Sequence, residues 1–429
     1  MSASELKIVS KEEAVSIVKS GDRLFFQGAA MTPTTLINAL CDRHHELNDV
    51  EIVQMHTEGE AKYMQEPCNN AFKLSAFFVG KNVRDGVNNR NGSYIPIFLS
   101  EIHWLFRRGL MPLDVAFIQV SPPDKHGFCS LGVSVDVTLP AIQTAKKVIA
   151  QVNPQVPRTH GDGIIHVSSI DMAVEIDEPI FQAHLGAPTD NDLKIGNYIS
   201  DLIDDGSTLQ MGIGNIPNVV LNNLGNHKNL GIHTEMFSDG VLPLVKNGVI
   251  NGSKKLIENG KMVTCFAVGS QELYDFIDDN PQVTFKEAAY TNDTAIIRQN
   301  PKVVAINSAI EIDLTGQVCA DTIGTYHYSG VGGQMDFIRG ASLSEGGKAI
   351  FGLPSITAKG HSKIVPTLKG GAGVTTTRAH VHYVVTENGV VNLFGKSLKE
   401  RAKLMISIAH PSQQEALAAA AFERFGYVE

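Results

Sequence analysis

One structural unit is written twice in this chain, and that constrains its fold more than any single motif. "SKEEAVSIVKSGDRLFFQGAAMTPTTLINAL", from Ser10, reads as a helix opened by a capping box, Ser10 with Glu13 three residues on, and stopped at Gly21. An apolar strand "RLFF", a small-residue loop "QGAAMTP" and a second helix "TTLINAL" follow. From residue 193 the order returns: helix "LKIGNYISDLIDDG" ending at Gly206, strand "STLQM", loop "GIGNIP", helix "NVVLNNL". Gly28 then stands opposite Gly212, Pro33 opposite Pro217 and Leu40 opposite Leu224. Allowing a small length difference, His56-Thr57-Glu58 falls on His233-Thr234-Glu235. A tripeptide can repeat by chance. One in register with a repeated helix–strand–loop–helix unit points to internal duplication.

At 429 residues the chain is too long for one ordinary core. The duplication divides it into two similar open α/β domains, 1–186 and 187–429, meeting in the Gly/Pro/Asp-rich stretch "HLGAPTDND" at 184–192. "KLIEN", "VVAIN", "KAIFGL" and "AHVHYVV" read as strands alternating with helical segments, which favours mainly parallel sheets covered by helices. Capping boxes, Ser397 with Glu400 and Ser412 with Glu415, open two C-terminal helices, "LKERAKLMISIA" and "QQEALAAAAFERF".

Charge and cysteine usage narrow the function. The net charge is −9 and no Lys/Arg run occurs, so nucleic acid is not an expected partner and any anion site must be built locally. Five scattered cysteines without C-x-x-C spacing indicate reduced thiols, and no apolar segment approaches the ~20 residues that span a bilayer. With no signal-peptide pattern at its start, the chain reads as a cytoplasmic protein without a membrane partner.

Four stretches could carry chemistry. In "STLQMGIGNIPNVVLNNL", Gly212 and Gly214 let the backbone turn tightly ahead of a helix whose first N–H groups suit a phosphate or carboxylate. A tight strand-to-helix turn explains the same residues, and Pro217 stands where the dinucleotide fingerprint needs glycine. "GIHTEMFSDG" puts Glu235 just past a short apolar strand, on the edge where open α/β sheets bind ligands. A carboxylate there can be a general base, a nucleophile or a metal ligand, although a lone Glu is more commonly a surface loop residue. "YSGVGGQMDFIRGA" offers Gly330, Gly332 and Gly333 as unshielded N–H donors for an oxyanion, or simply a flexible turn. "KGGAGVTTTRAH", with Arg378 and His380, suits a lid or a long hairpin loop. The pairs His233/Asp239 and His380/His382 do not complete a ligand set, so no metal is expected.

Taken in order, "SPPDKHGFCSLG", "GIGNIP", "GIHTEMFSDG", "NSAIEIDLTGQV", "GVGGQMDF", "AHVHYVVTENGVVNLFGKS" and "RAKLMISIAHP" resemble the acetyl-CoA hydrolase/transferase family of class I CoA-transferases. The likeness runs over essentially the whole chain and is greatest to 4-hydroxybutyrate and butyryl-CoA:acetate CoA-transferases. It implies two similar α/β domains with the active site in the cleft between them, in agreement with the duplication. It implies that Glu235 attacks an acyl-CoA thioester and passes through a mixed anhydride to a glutamyl-CoA thioester, in a ping-pong cycle. Gly333 would supply an oxyanion N–H. Gly212, Ile213, Gly214, Asn215, Ile216, Asn307 and Lys359 would contact CoA. Gly332 and Gln334 would lie at the acyl group, and Gln27 to Met31 with Arg84 would face the cleft. No cofactor is implied, since CoA is a substrate; the partners are small acyl-CoAs and carboxylates, and a homo-oligomer is expected. The same glutamate would serve an acyl-CoA hydrolase, and a non-catalytic ligand-binding α/β protein would need neither Glu235 nor the glycine pair.

Overall fold

The computed structural model describes residues 6–89, 92–183, 186–212 and 214–426. The first repeated unit forms as the local chemistry dictates. Ser10 accepts from the Glu13 N–H at the start of the helix Lys11–Val15, but that helix ends short of Gly21, which takes a φ of 82° in a turn of its own. The strand Arg23–Phe26 and helix Thr34–Asp42 follow. In the second unit the helix Asp190–Ser200 starts three residues earlier than its apolar pattern suggests, because Thr189 and Asp192 form a reciprocal capping box. Strand Thr208–Met211 then leads into helix Asn215–Asn223, with Pro217 in its first turn.

The duplication extends to sheet topology. The N-terminal sheet has seven strands, all parallel, in the order Met172–Glu175, Lys147–Val152, Val115–Val120, Arg23–Phe26, Val50–Gln54, Phe72–Ala76, Gly92–Tyr94. The C-terminal sheet runs Gly389–Asn392, Tyr383–Thr386, Lys348–Gly352, Val303–Asn307, Thr208–Met211, Gly231–Ile232. Its edge strand Gly389–Asn392 is antiparallel and the rest are parallel. In both, the first strand of the half lies between the second and a strand that returns after a long excursion. A parallel bridge from His233 to Val263 carries the C-terminal pattern on to Met262–Thr264 and Val283–Phe285. The last of these pairs with His160–Gly161, a segment of the N-terminal half. A side chain at residue 161 would sit 2.1 Å from the Phe285 carbonyl, so glycine is required there.

The halves are not separate beads. One apolar cluster runs from Phe25, Val53 and Ile118 through Val133 and Val135 to Leu209, Phe237 and Phe285. Backbone bonds stitch it, with Val135 N–H donating to the Cys265 carbonyl and Ala267 N–H to the Val133 carbonyl. Among the described residues, no helix is long and apolar enough to cross a membrane.

Two further local expectations fail. "KLIEN" is not a strand: Lys255 is buried and its Nζ donates to the carbonyls of Ile232 and Lys261 at 3.0 and 2.7 Å, which ties the segment into a loop and leaves Leu256 73% exposed. The last helix, Pro411–Phe425, is capped by His410 and not by Ser412, because Pro411 fits the first helical position and the His410 ring accepts from the Ser412 N–H. Ser397 and Glu400 do form their capping box.

Candidate active site

Both His-Thr-Glu copies follow the second strand of their sheet, so chain direction brings them to the same place. Glu58 and Glu235 line one cavity of about 550 Å³, together with Met55, His56, Phe78, Leu99, Phe266 and Gly332. It lies at the carboxyl ends of parallel strands from both halves, where open α/β sheets bind ligands.

Glu235 is pinned by its backbone. Its carbonyl accepts from the N–H groups of Cys265 and Phe266 and from Thr264 Oγ1, between 3.0 and 3.2 Å. Thr234 Oγ1 closes the turn by donating to the Met236 carbonyl and accepting from the Met211 N–H. His233 is buried; Nε2 lies 2.8 Å from the Thr291 carbonyl and burial, with the nearby Lys255 charge, pushes its pKa down to about 3. The ring is therefore neutral and Nε2 carries the donated proton. Thr291 precedes Asn292, whose Nδ2 donates to Glu235 Oε2 at 3.0 Å.

Burial holds the Glu235 carboxyl above the ordinary range, opposed by that Asn292 bond. A Cβ on Gly333 would come within 1.8 Å of Glu235 Oε2 and 2.2 Å of Asn292 Nδ2, so the residue 333 backbone lies directly against the carboxylate. Gly332 takes a φ of 55°, which turns the chain so that Gly333 can cap the helix Gln334–Leu343. The N-terminal half braces this loop: Leu99 N–H donates to the Gly332 carbonyl and Tyr94 Oη accepts from the Val331 N–H.

The glycine turn forms a second recess. Gly212, Gly214, Asn215, Ile216 and Asn307 line a cavity of about 270 Å³, with Ser308 and Gly352. Asn307 Nδ2 is fixed by Gln210 Oε1 at 3.0 Å. Gly214, with a φ of 128°, also lines a cavity of about 510 Å³ that includes His56, Glu58 and Met236, so the turn and Glu58 border one space. Ile213 lies outside the described residues. Gln334 donates to the Ser308 carbonyl and accepts from Thr376 Oγ1, away from the Glu235 cavity lining.

Lys359 is not brought to any of these cavities; it is exposed on the turn closed by the Ile356–Ser362 bridge. Gln27 does not face the cleft either: it is fully buried, its Nε2 donating to the carbonyls of Leu131 and Ser134 while its Oε1 accepts from the Gln119 N–H. Met31 is buried in the N-terminal core, and Arg84 stacks 3.7 Å over the Tyr328 ring. Sequence reasoning missed Asn292. Its segment "AAYTNDTAIIRQN" reads as helix ends and a cap, and its partner Glu235 is 57 residues away.

Two parallel α/β halves of common topology, converging on a half-buried carboxylate backed by glycine, define a duplicated fold with one shared site. Comparison with known proteins says which fold it is. The acetyl-CoA hydrolase/transferase N-terminal domain matches residues 2–182 and the C-terminal domain of the same family matches residues 269–421. The chain is 49% identical to the succinyl-CoA:acetate/propanoyl-CoA:succinate CoA transferase of Fasciola hepatica, over 96% of this chain and 87% of the relative. It is 48% identical to the 4-hydroxybutyrate coenzyme A transferase of Clostridium kluyveri, over 96% of each. The crystal structure of a 4-hydroxybutyrate CoA-transferase from Porphyromonas gingivalis superposes with a TM-score of 0.84 at 38% identity, covering 98% of both chains. The chain belongs to the acetyl-CoA hydrolase/transferase family.

Proposed function

We propose that this protein moves CoA between short-chain carboxylic acids, exchanging 4-hydroxybutyrate or butyrate against acetyl-CoA and acetate, with Glu235 as the covalent carrier. The observation that carries the reading is the Glu235 carboxyl itself, held on Oε2 by Asn292, backed by Gly333 and facing a cavity walled by Phe78, Leu99 and Phe266. The Glu235 carboxylate attacks the thioester carbonyl; the C–S bond breaks, CoA leaves as thiolate, and a mixed anhydride remains. The thiolate attacks the glutamyl carbonyl and expels the donor's carboxylate, leaving a glutamyl-CoA thioester. An acceptor carboxylate runs both steps in reverse and regenerates Glu235. No net proton is consumed.

The chain's own groups suit each step. The Gly333 N–H is the candidate donor to the oxyanion that develops beside Oε2, where a prearranged dipole acts without reorganisation. Gly212, Gly214, Asn215, Ile216 and Asn307 form the recess proposed for CoA, at the N-terminus of a nine-residue helix that favours phosphate. The apolar walls around Glu235 limit water, which favours transfer over hydrolysis of the thioester.

Initial rates with acetyl-CoA varied at several fixed concentrations of 4-hydroxybutyrate or butyrate test this directly. Parallel double-reciprocal lines are expected, with acyl-CoA of the added acid as product. Release of free CoA at a rate indifferent to every added carboxylate would establish a hydrolase instead, and absence of turnover with all of them would sink the reading.

A further inference from the structure

A buried carboxylate without a task in the mechanism above shares the amide that holds Glu235. Asp336 stands on the first turn of the helix Gln334–Leu343, just past the Gly332-Gly333 pair, and is 4% exposed. Asn292 is fully buried, and its Nδ2 carries two hydrogens. One goes to Glu235 Oε2 at 3.0 Å and the other to Asp336 Oδ2 at 3.2 Å. Asp336 is held in turn from the N-terminal half: the Ser100 N–H donates to Oδ2 at 3.2 Å and Ser100 Oγ donates to Oδ1 at 2.8 Å.

The two carboxyls face different spaces. Glu235 lines the 550 Å³ cavity and Asp336 does not; Asp336 lines a rear cavity of about 390 Å³, with Ser100, His103, Trp104, Asp293 and Arg339. Asn292 bridges them. Its Oδ1 is buried with no hydrogen-bond partner, so among the described residues nothing on the oxygen side fixes which way the amide points. Both anchors are on nitrogen. If the Asp336 anchor were lost, a half-turn of the amide would aim its oxygen at the Glu235 carboxylate, replacing an attraction by a repulsion at no other hydrogen-bonding cost. The Glu235 anchor cannot prevent this throughout the proposed cycle, because acylation turns that carboxylate into a neutral carbonyl and weakens the bond.

We infer that Asp336 is a positioning residue, which fixes the Asn292 amide so that one N–H stays aimed at Glu235 through every step, and that Ser100 makes this aim depend on the N-terminal half. The inference rests on the reading of Glu235 as covalent carrier. Asp336 touches no substrate; it acts through Asn292.

The test is steady-state kinetics with acetyl-CoA and butyrate on three variants of the full chain. In Asp336→Ala, kcat is expected to fall about 10- to 100-fold, the range of one lost hydrogen bond to a charged group, with KM for acetyl-CoA within about 3-fold. In Asp336→Asn the amide oxygen can still accept from Asn292, so kcat is expected within about 5-fold of wild type. Wild-type kcat in Asp336→Ala, equal damage in the Asn variant, or a change confined to KM each overturns the inference. If Asp336→Ala does not fold, Ser100→Ala decides: a lowered kcat at unchanged Tm supports the inference, and wild-type kcat overturns it. The mass of the wild-type enzyme with acetyl-CoA separates the two levels. An adduct absent from Glu235 defeats the carrier reading, whereas an adduct on Glu235 with an unimpaired Asp336→Ala variant defeats this inference alone.

Discussion

The two His-Thr-Glu copies occupy equivalent strand ends, face one cavity, and are built differently around the carboxyl. Glu235 has an amide on Oε2, a glycine backbone in contact, and a carbonyl held by Cys265, Phe266 and Thr264. Glu58 shares the burial that raises its carboxyl, but it is tethered through its backbone N–H, which donates to Thr32 Oγ1 at 2.9 Å. The histidines diverge as well. His233 is buried in the support of Asn292, while His56 lies among Phe78 and Phe266 at the cavity wall. Thr57 bonds to Tyr63 Oη, and Tyr63 donates to Gln54 Oε1, a network inside the N-terminal core. Duplication supplied two equal frameworks. What separates a reactive carboxylate from a cavity-lining one is the set of partners that long-range contacts bring to it.

The comparison breaks most sharply at the nucleophile. Glu235→Gln is expected to lower kcat by about 10³-fold or more in the CoA-transfer assay, since an amide cannot form the anhydride. Gly333→Ala comes next: a Cβ cannot occupy a position 1.8 Å from Oε2, so the loop must move, and a loss of about 10²-fold is expected from a misplaced carboxylate and oxyanion donor. Asn292→Ala removes a hydrogen bond to the ionised carboxyl and is expected to lower kcat about 10- to 100-fold. Glu58→Gln is the smallest, an effect below about 10-fold that shows chiefly as an altered KM for the acceptor acid. Equal losses for the two glutamine variants would erase the distinction between the copies.

A pH profile sharpens the same contrast. The reactive form of Glu235 is ionised and burial raises its pKa, so kcat/KM falls on the acid side at a higher pH than for an exposed carboxylate. Glu58→Gln should leave that acid limb in place. Its disappearance in the variant would assign the titration to the wrong copy.

Much of this is legible in the sequence. Strand–loop–helix order and the caps at Ser10 and Ser397 are local devices, and local devices can be read from neighbouring residues; the glycine stops are not among them, since the helices end at Val15 and Ser200, short of Gly21 and Gly206. The position of Glu235 can be read too, because a residue just past a parallel strand lies at the binding edge. What could not be read is pairing at a distance. Asn292 meets Glu235 across 57 residues and Ser100 meets Asp336 across 236, and nothing in "AAYTNDTA" or "IFLSEIHW" marks those contacts. "KLIEN" misleads for the same reason: the buried Lys255 finds its carbonyl partners on another strand end and a turn, and its loop follows them. The family resemblance points Lys359 and Gln27 toward the site, whereas the fold places the one on an exposed turn and the other in the core.

The central claim, that one copy carries the chemistry, is tested most directly by locating the covalent adduct. The protein is incubated with acetyl-CoA, reduced with borohydride and digested, and the peptides are weighed. The account predicts modification on the peptide bearing Glu235, dependent on acyl-CoA, and none on the peptide bearing Glu58. Modification of the Glu58 peptide, or full turnover by Glu235→Ala without any adduct, would contradict it.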